Sequence, residues 1–98
     1  MDIIKKYDGK ELTITVKEKI DTITAPDFEN EINDEFGKFD SLILDLTDLK
    51  YISSAGLRVL IVTGKKLKPQ NIPFLIKVND TISEILVMSG FVKLLNIK

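Results

Sequence analysis

The residues with the clearest chemical potential are two adjacent serines, Ser53 and Ser54. They follow the apolar, strand-like run 42–47 and stand where a helical pattern begins. The first turn of a helix has free backbone N–H groups and the positive end of the peptide dipole. A serine there can cap the helix, and the same groups favour an added phosphate. The pair therefore predicts a helix cap and a place suited to a phosphorylation switch.

Two neighbours of these serines admit more than one interpretation. Arg58 is the only arginine of the chain, and on a helix it lies one turn from Ser54. It is either a solvated surface cation or a charge partner for a phosphate or an acidic protein surface. Gly56 lacks a side chain, so it either lets a partner approach closely or packs against a neighbouring strand.

Catalysis finds little support in the sequence. The chain has no histidine and no cysteine, which excludes a Ser-His-Asp triad, a cysteine nucleophile and thiolate metal sites. Gly56 and the pair Gly64-Lys65 faintly resemble a phosphate-binding loop, but the two glycines are farther apart than in such a loop, and the segment is helical in pattern. We therefore predict that the protein is not an enzyme and needs no cofactor.

Three aspartates are candidate ligands of a metal ion. Asp45 and Asp48 lie in and just beyond an apolar strand, where ligand sites of such sheets occur, and Asp21 could join them around a metal ion. Carboxylates that follow a strand more commonly cap a turn or a helix. We favour the capping interpretation and predict no metal site.

Composition limits the class of protein further. The 98 residues are 44% hydrophobic, enough for one domain over residues 1–98 with its own core. Lys and Arg number 14 against 15 Asp and Glu, which offers no electrostatic case for nucleic acid. No apolar run approaches about 18 residues, and the N-terminus does not read as a signal peptide. We expect a soluble, cytoplasmic protein without a membrane partner.

The apolar patterns predict an α/β fold. Residues 3–7 and 12–16 flank Asp8 and Gly9, a typical hairpin signal. The run 42–46 is almost wholly apolar, as in a central parallel strand that is buried on both faces. The predicted strands are 3–7, 12–16, 42–46, 73–78 and 92–97, and residues 17–23 are predicted to be a connection. The first predicted helix begins within 24–27 and ends at Gly37, the second covers 55–68, and the third begins at 81 and ends at Gly90.

Helix ends and faces leave some alternatives. Thr24 and Asp27 resemble a capping box at the start of the first helix, although Pro26 prefers the first helical position, so the cap is ambiguous. Residues 81–84 form a second capping box. The first helix is predicted to have one apolar stripe, formed by Phe28, Ile32 and Phe36. Val59 and Val62 form a second apolar face on the middle helix, which is either buried by neighbouring elements or exposed to a partner.

Taken together, these residues resemble the STAS domain of anti-sigma factor antagonists. The family signature is a V-L-D-L strand, a spacer, an apolar pair and D-S-[ST/A]-G-L before a helix. Here it reads as residues 43–57, with weaker matches upstream at 20–25 and downstream at 88–91. The resemblance covers nearly the whole chain. It implies a mixed sheet of about five strands with an N-terminal hairpin, covered by three helices.

The resemblance also implies a function. Family members bind an anti-sigma factor that is a serine kinase, and they thereby free the sigma factor for transcription. The kinase phosphorylates the serine of the signature, here Ser54, which breaks the complex, and a phosphatase reverses the modification. The partner surface implied by the start of the second helix and the preceding loop comprises Asp21, Thr22, Ser53, Ser54, Ala55, Gly56 and Arg58.

Three departures from the family pattern keep alternatives open. Ser53 replaces the usual Asp before the phosphorylated serine, so Ser53 is a second candidate for modification. Glu18 stands at a position commonly occupied by glycine, and the C-terminal helix of the family is expected to be missing or reduced. The alternative function is a STAS-type protein- or nucleotide-binding regulatory module of another signalling assembly, without phosphorylation.

Overall fold

A computed structural model describes residues 1–90 of the chain. No helix in this part is long and apolar enough to cross a membrane. The predicted strand 92–97 and the expected reduction of a C-terminal helix lie outside the described residues. The elements are β1 (Asp2–Asp8), β2 (Glu11–Ile20), α1 (Ala25–Asn33), β3 (Ser41–Leu46), β4 (Leu49–Ile52), α2 (Ser54–Leu67), a short 3-10 helix (Lys68–Gln70), β5 (Phe74–Val78) and α3 (Asp80–Ser89).

The five strands form one mixed sheet, as predicted for the fold class. The strand order is β1-β2-β3-β5, and β4 pairs with the C-terminal end of β2. β1 and β2 form the predicted antiparallel hairpin, while all other pairs are parallel. Helices α1 and α2 therefore connect parallel strands, the arrangement that a βαβ order requires.

The core lies between one face of the sheet and the buried sides of the helices. On β2 and β3 every second side chain is buried, from Leu12 to Val16 and from Leu42 to Leu46. Phe28 and Ile32 of α1 and Leu60 of α2 complete the same apolar cluster, all with no exposed surface. The other three residues of β3, Ser41, Ile43 and Asp45, are only half-buried. The prediction that this strand is buried on both faces was therefore wrong for the second face.

The sequence patterns missed the second half of β2 and all of β4. Residues 17–20, predicted as part of a connection, continue β2, and residues 18–20 pair with β4, whose residues were predicted only as the end of a spacer (48–50) and an apolar pair (51–52). β2 pairs with β3 as far as Thr15 and with β4 from Glu18 onward, and the register of the β2–β4 pairing shifts between Glu18 and Lys19 at a bulge. A bulge interrupts the alternation of apolar and polar residues, which is why periodicity alone did not reveal these strands.

Helix boundaries also differ in two places. α1 ends at Asn33, so Phe36 is not on the helix but in the following turn, half-buried and edge-on to Phe39 with ring centroids 5.8 Å apart. The positive φ of +87° at Gly37 belongs to that turn. α3 is capped by the side chain of Asn79, which accepts from the N–H of Ile82 at 2.8 Å, and not by a capping box that begins at residue 81.

The bulge in β2 holds Glu18 at a φ of +72°, the left-handed region that favours glycine. We expect Glu18→Gly to stabilise the fold by about 0.5–1 kcal/mol, because it removes left-handed strain of about 1–2 kcal/mol. The exposed ion pair from Glu18 to Lys50 at 3.5 Å offsets little of this gain. Denaturant unfolding measures the change, and Lys17→Gly, one residue earlier, is the matched control with the expected opposite sign. A Glu18→Gly variant as unstable as the control would contradict the strain argument.

Candidate functional site

Ser53 is the cap of α2. Its hydroxyl oxygen accepts a hydrogen bond from the backbone N–H of Gly56 at 3.2 Å, and its side chain is almost wholly buried. Its own N–H donates to the carbonyl oxygen of Ile20 at 2.8 Å, which extends the pairing of β2 and β4 by one bond. The start of α2 is therefore attached to the end of β2. One of the two serines was expected to cap the helix, and the structure shows which one.

Ser54 occupies the first helical position and is exposed to solvent. The first backbone bond of α2 runs from the N–H of Leu57 to the carbonyl oxygen of Ser53, so the N–H groups of Ser54 and Ala55 precede the helical ladder. No acidic residue lies in the first turn. Negative charge added at Ser54 would therefore lie at the helix start, close to free N–H groups and the positive end of the helix dipole.

Asp21 organises the loop between β2 and α1. One of its carboxylate oxygens accepts from the N–H groups of Ile23 at 3.0 Å and Thr24 at 2.8 Å and from the Thr24 hydroxyl at 3.0 Å. The Thr24 hydroxyl accepts in turn from the N–H of Asp21, and the ammonium of Lys19 lies 3.6 Å from the second carboxylate oxygen. The backbone bond from Thr24 is the main cause that lowers the pKa of Asp21. Thr24 thus serves this loop rather than the capping box that the sequence suggested.

The hydrogen bonds of Asp21 predict a pH dependence. Since the folded pKa lies below the unfolded one, the carboxylate stabilises the fold above the unfolded pKa, and this contribution is lost as pH falls through the folded pKa. At neutral pH we expect the melting temperature of wild type to be higher than that of Asp21→Asn. We expect the difference between the two melting temperatures to decrease as the pH is lowered. Thermal melts between about pH 6 and about pH 2.5 measure it. A constant gap would show that the charge of Asp21 is not involved.

The cap assignment separates the two serines experimentally. We expect Ser53→Ala to lower the free energy of unfolding by about 1 kcal/mol, because the N–H of Gly56 then loses its acceptor inside the protein. Ser54→Ala, the matched control on the neighbouring residue, is expected to change it by less than about 0.5 kcal/mol. Chemical denaturation of both variants measures the difference. A larger loss for Ser54→Ala would reverse the assignment.

A groove of about 450 Å³ lies between the start of α1 and α2, and Ala55, the residue after Ser54, lines it. It brings together three of the predicted partner-binding residues, Thr22, Ala55 and Arg58. Val59 is buried at the groove and Val62 is half-buried there, so the second apolar face of α2 is partly covered and partly open. The groove lining is Thr22, Ala25, Pro26, Glu29, Ala55, Arg58, Val59 and Val62.

The α1 wall of this groove was missed by sequence reasoning. Pro26 and Glu29 lie three residues apart, so they share the side of α1 that lies beside α2. That spacing is the signal that could have identified them. The apolar stripe of Phe28 and Ile32 predicts only the side of α1 that packs in the core.

Gly56 is buried and faces the core. A β-carbon added there would lie 2.7 Å from Cγ1 of Ile52 and 2.8 Å from Cγ2 of Ile20. Contacts this short do not occur between real side chains, so α2 can approach β2 and β4 this closely only with glycine. Of the two interpretations of Gly56, this geometry supports packing against the neighbouring strands.

The carboxylate of Asp45, near the end of β3, makes local hydrogen bonds. One carboxylate oxygen of Asp45 accepts from the hydroxyl of Thr47 at 2.6 Å and from its N–H at 3.1 Å, which shapes the turn into β4. In the part of the chain that the structure describes, no three acidic, histidine or cysteine side chains come together in a group that could hold a metal ion.

Comparisons with known proteins show the family and the fold of the chain. The family model for the STAS domain matches residues 3–98, so the chain belongs to the STAS domain family. This confirms the resemblance found in the signature around Ser54. The comparison with curated proteins finds no match.

Solved structures of similar fold include anti-sigma factor antagonists. One from Mycobacterium paratuberculosis has a TM-score of 0.89 at 21% identity, covering 98% of this chain and 83% of that chain. The anti-sigma factor antagonist SpoIIAA in its unphosphorylated form gives 0.81 at 12% identity, covering 99% and 88%. The Bacillus cell fate determinant SpoIIAA in its phosphorylated form gives 0.76 at 12% identity, covering 99% and 91%. At these identities the likeness concerns the fold alone.

The same fold occurs outside this group. The murine anion transporter Slc26a9 contains a region with a TM-score of 0.77 at 12% identity, covering 94% of this chain but only 16% of the transporter. A STAS fold is therefore compatible with more than one cellular role, and the role of this chain has to be argued from its own site.

Proposed function

We propose that this protein is an anti-sigma factor antagonist that acts in the cytoplasm. It binds an anti-sigma factor with serine kinase activity, and phosphorylation of Ser54 releases that partner. A phosphatase restores the binding form, and no cofactor or nucleic acid takes part. Membership of the STAS family and the fold of SpoIIAA and its Mycobacterium counterpart support this proposal.

The observation that carries the proposal is the different exposure of the two serines. Ser54 is exposed at the first turn of α2, whereas Ser53 is almost wholly buried with its hydroxyl bonded to Gly56. A kinase has to reach the hydroxyl that it modifies, so the exposed serine is the better substrate. Ser53 also does the work of a cap, which aspartate and serine perform about equally well. Replacement of the usual aspartate by Ser53 therefore preserves the start of α2.

Phosphate at Ser54 acts through charge. It adds about −1.5 to −2 charge at neutral pH to a surface whose first turn holds no acidic residue. A partner surface that covers Ser54 would have to desolvate that charge, which is unfavourable without an opposing cation. The fold itself is not disturbed, because the phosphate meets free N–H groups at the helix start.

Mapping of the phosphosite tests the proposal. The protein is incubated with ATP and the anti-sigma factor kinase of its own cell, and the modified residue is identified by mass spectrometry. We expect phosphate on Ser54 alone. Modification of Ser53 alone, or of neither serine, would contradict the proposed switch.

The alternative is a STAS module that binds its partner in another signalling assembly without phosphorylation. The occurrence of this fold within the murine transporter favours keeping it as a second candidate. Co-purification from the native cell separates the two. Recovery of an anti-sigma factor supports the first function, whereas recovery of a different signalling protein, with both serines unmodified, supports the second.

A further inference from the structure

The side chain of Asn79 makes three hydrogen bonds that tie the start of α3 to the start of β4. Its carboxamide oxygen accepts from the N–H of Ile82 at 2.8 Å, which caps α3. Its carboxamide nitrogen donates to the carbonyl oxygen of Thr47 at 3.0 Å and to that of Leu49, the first residue of β4, at 2.7 Å. The oxygen and both N–H groups of the carboxamide are therefore in use.

The presence of asparagine at this cap indicates a second role for the side chain. Asparagine, aspartate, serine and threonine all cap helices well, so the cap alone does not require an amide. Of these four side chains only asparagine has two N–H donors beside its acceptor oxygen. Aspartate would instead place a carboxylate against two carbonyl oxygens. The donors of Asn79 thus serve Thr47 and Leu49 rather than the helix.

The strand that Asn79 holds is weakly fixed by its own ladder. β4 has four residues, and among the strands within residues 1–90 it pairs with β2 alone. The pairing is irregular, because Leu49 lies opposite Glu18 whereas Tyr51 lies opposite Lys19. At this point β4 has one residue more than β2. A short ladder with such a shift constrains register poorly, so a direct bond to the carbonyl oxygen of Leu49 adds the missing constraint.

We propose that Asn79 is a positioning residue for the two serines, because it fixes the register of β4. The inference rests on the proposed function for the role of Ser54 as the switch. β4 runs directly into Ser53, so a slip of β4 by one residue would move the alternation of buried and exposed positions along by one. Ser53 would then leave its buried position, and Ser54 would approach it. Asn79 thereby decides, from the start of a different helix, which hydroxyl a kinase can reach.

Thiol labelling tests this role without a partner protein. The chain has no cysteine, so Ser53→Cys and Ser54→Cys each carry one thiol, whose rate of reaction with iodoacetamide reports its exposure. With Asn79 intact, we expect Ser54→Cys to react faster than Ser53→Cys by about tenfold or more. Asn79→Ser keeps a capping residue but removes the two N–H donors. We expect it to lower the ratio of the two rates by about tenfold, and Asn79→Asp to lower it further.

The matched control for general destabilisation is Ile14→Val. It removes a buried methyl group where β2 pairs with β3, not with β4, and we expect it to change the ratio by less than about twofold. Circular dichroism checks folding, and if Asn79→Ser does not fold, Asn79→Thr replaces it as another capping residue. A ratio near one with Asn79 intact, a ratio that Asn79→Ser leaves unchanged, or an equal decrease in Ile14→Val would overturn the inference.

Phosphosite mapping distinguishes this inference from the proposed function. Asn79→Ser and wild type are incubated with ATP and the anti-sigma factor kinase of the same cell. We expect phosphate on Ser53 as well as on Ser54 in the variant. Wild type that takes up no phosphate would overturn the proposed function, and the thiol ratio would still decide the role of Asn79. Phosphate on Ser54 alone in both proteins would contradict the role of Asn79 and leave the proposed function standing.

Discussion

Gly56→Ala is expected to lower the free energy of unfolding by about 1–2 kcal/mol and the melting temperature by about 5–15 °C. The added β-carbon would meet the branched side chains of Ile20 and Ile52 at 2.8 and 2.7 Å, and neither can yield without a change of rotamer or backbone. Such overpacking costs about 1–3 kcal/mol, and the better helix propensity of alanine returns at most about 1 kcal/mol.

The control for this prediction is Ser54→Ala, which adds alanine to the same first turn at an exposed position. It is expected to leave stability within about 0.5 kcal/mol of wild type. Thermal and denaturant unfolding of both variants decide the matter, and the folded fraction of Gly56→Ala is expected to bind its partner normally. A Gly56→Ala variant as stable as wild type that loses its partner would show instead that the glycine serves a direct contact.

Ser54→Asp is expected to weaken binding of the anti-sigma factor by about tenfold or more, while Ser54→Ala retains affinity. The carboxylate supplies part of the charge of a phosphate at the same exposed site. Because an acidic residue at a helix N-terminus is favourable, the same variant is expected to gain about 0.3–1 kcal/mol of stability. If Ser54→Asp binds more weakly although it is more stable than wild type, the loss of affinity cannot be attributed to unfolding of the variant.

The matched control adds the same charge elsewhere. Asn30→Asp lies on the exposed side of α1, outside the groove, and is expected to bind like wild type. Titration calorimetry against the purified anti-sigma factor measures all three affinities. Equal affinities for Ser54→Asp and wild type would place the switch elsewhere on the molecule, whereas equal losses for Ser54→Asp and Asn30→Asp would indicate a general charge effect.

Local patterns were sufficient for most of the fold. The hairpin at Asp8 and Gly9, the strand 42–46, the helix that follows Ser53 and the stop at Gly90 all appear where the sequence predicts them. Each depends on nearby residues: a turn that tolerates positive φ, an apolar run, or a hydroxyl at a helix start. The signature around Ser54 identified the family for the same reason, since its residues are contiguous in the chain.

Tertiary contacts decided the rest. β4 finds a partner because β2 runs on beyond Thr15, its last residue paired with β3, and no local periodicity encodes that exchange of partners. The burial of Ser53 and the exposure of Ser54 follow from the bond between Ser53 and Ile20, which sets how α2 starts on the sheet. Two adjacent serines are equivalent in a linear sequence, and they become a cap and an exposed hydroxyl only when a distant strand fixes the rotation of the helix.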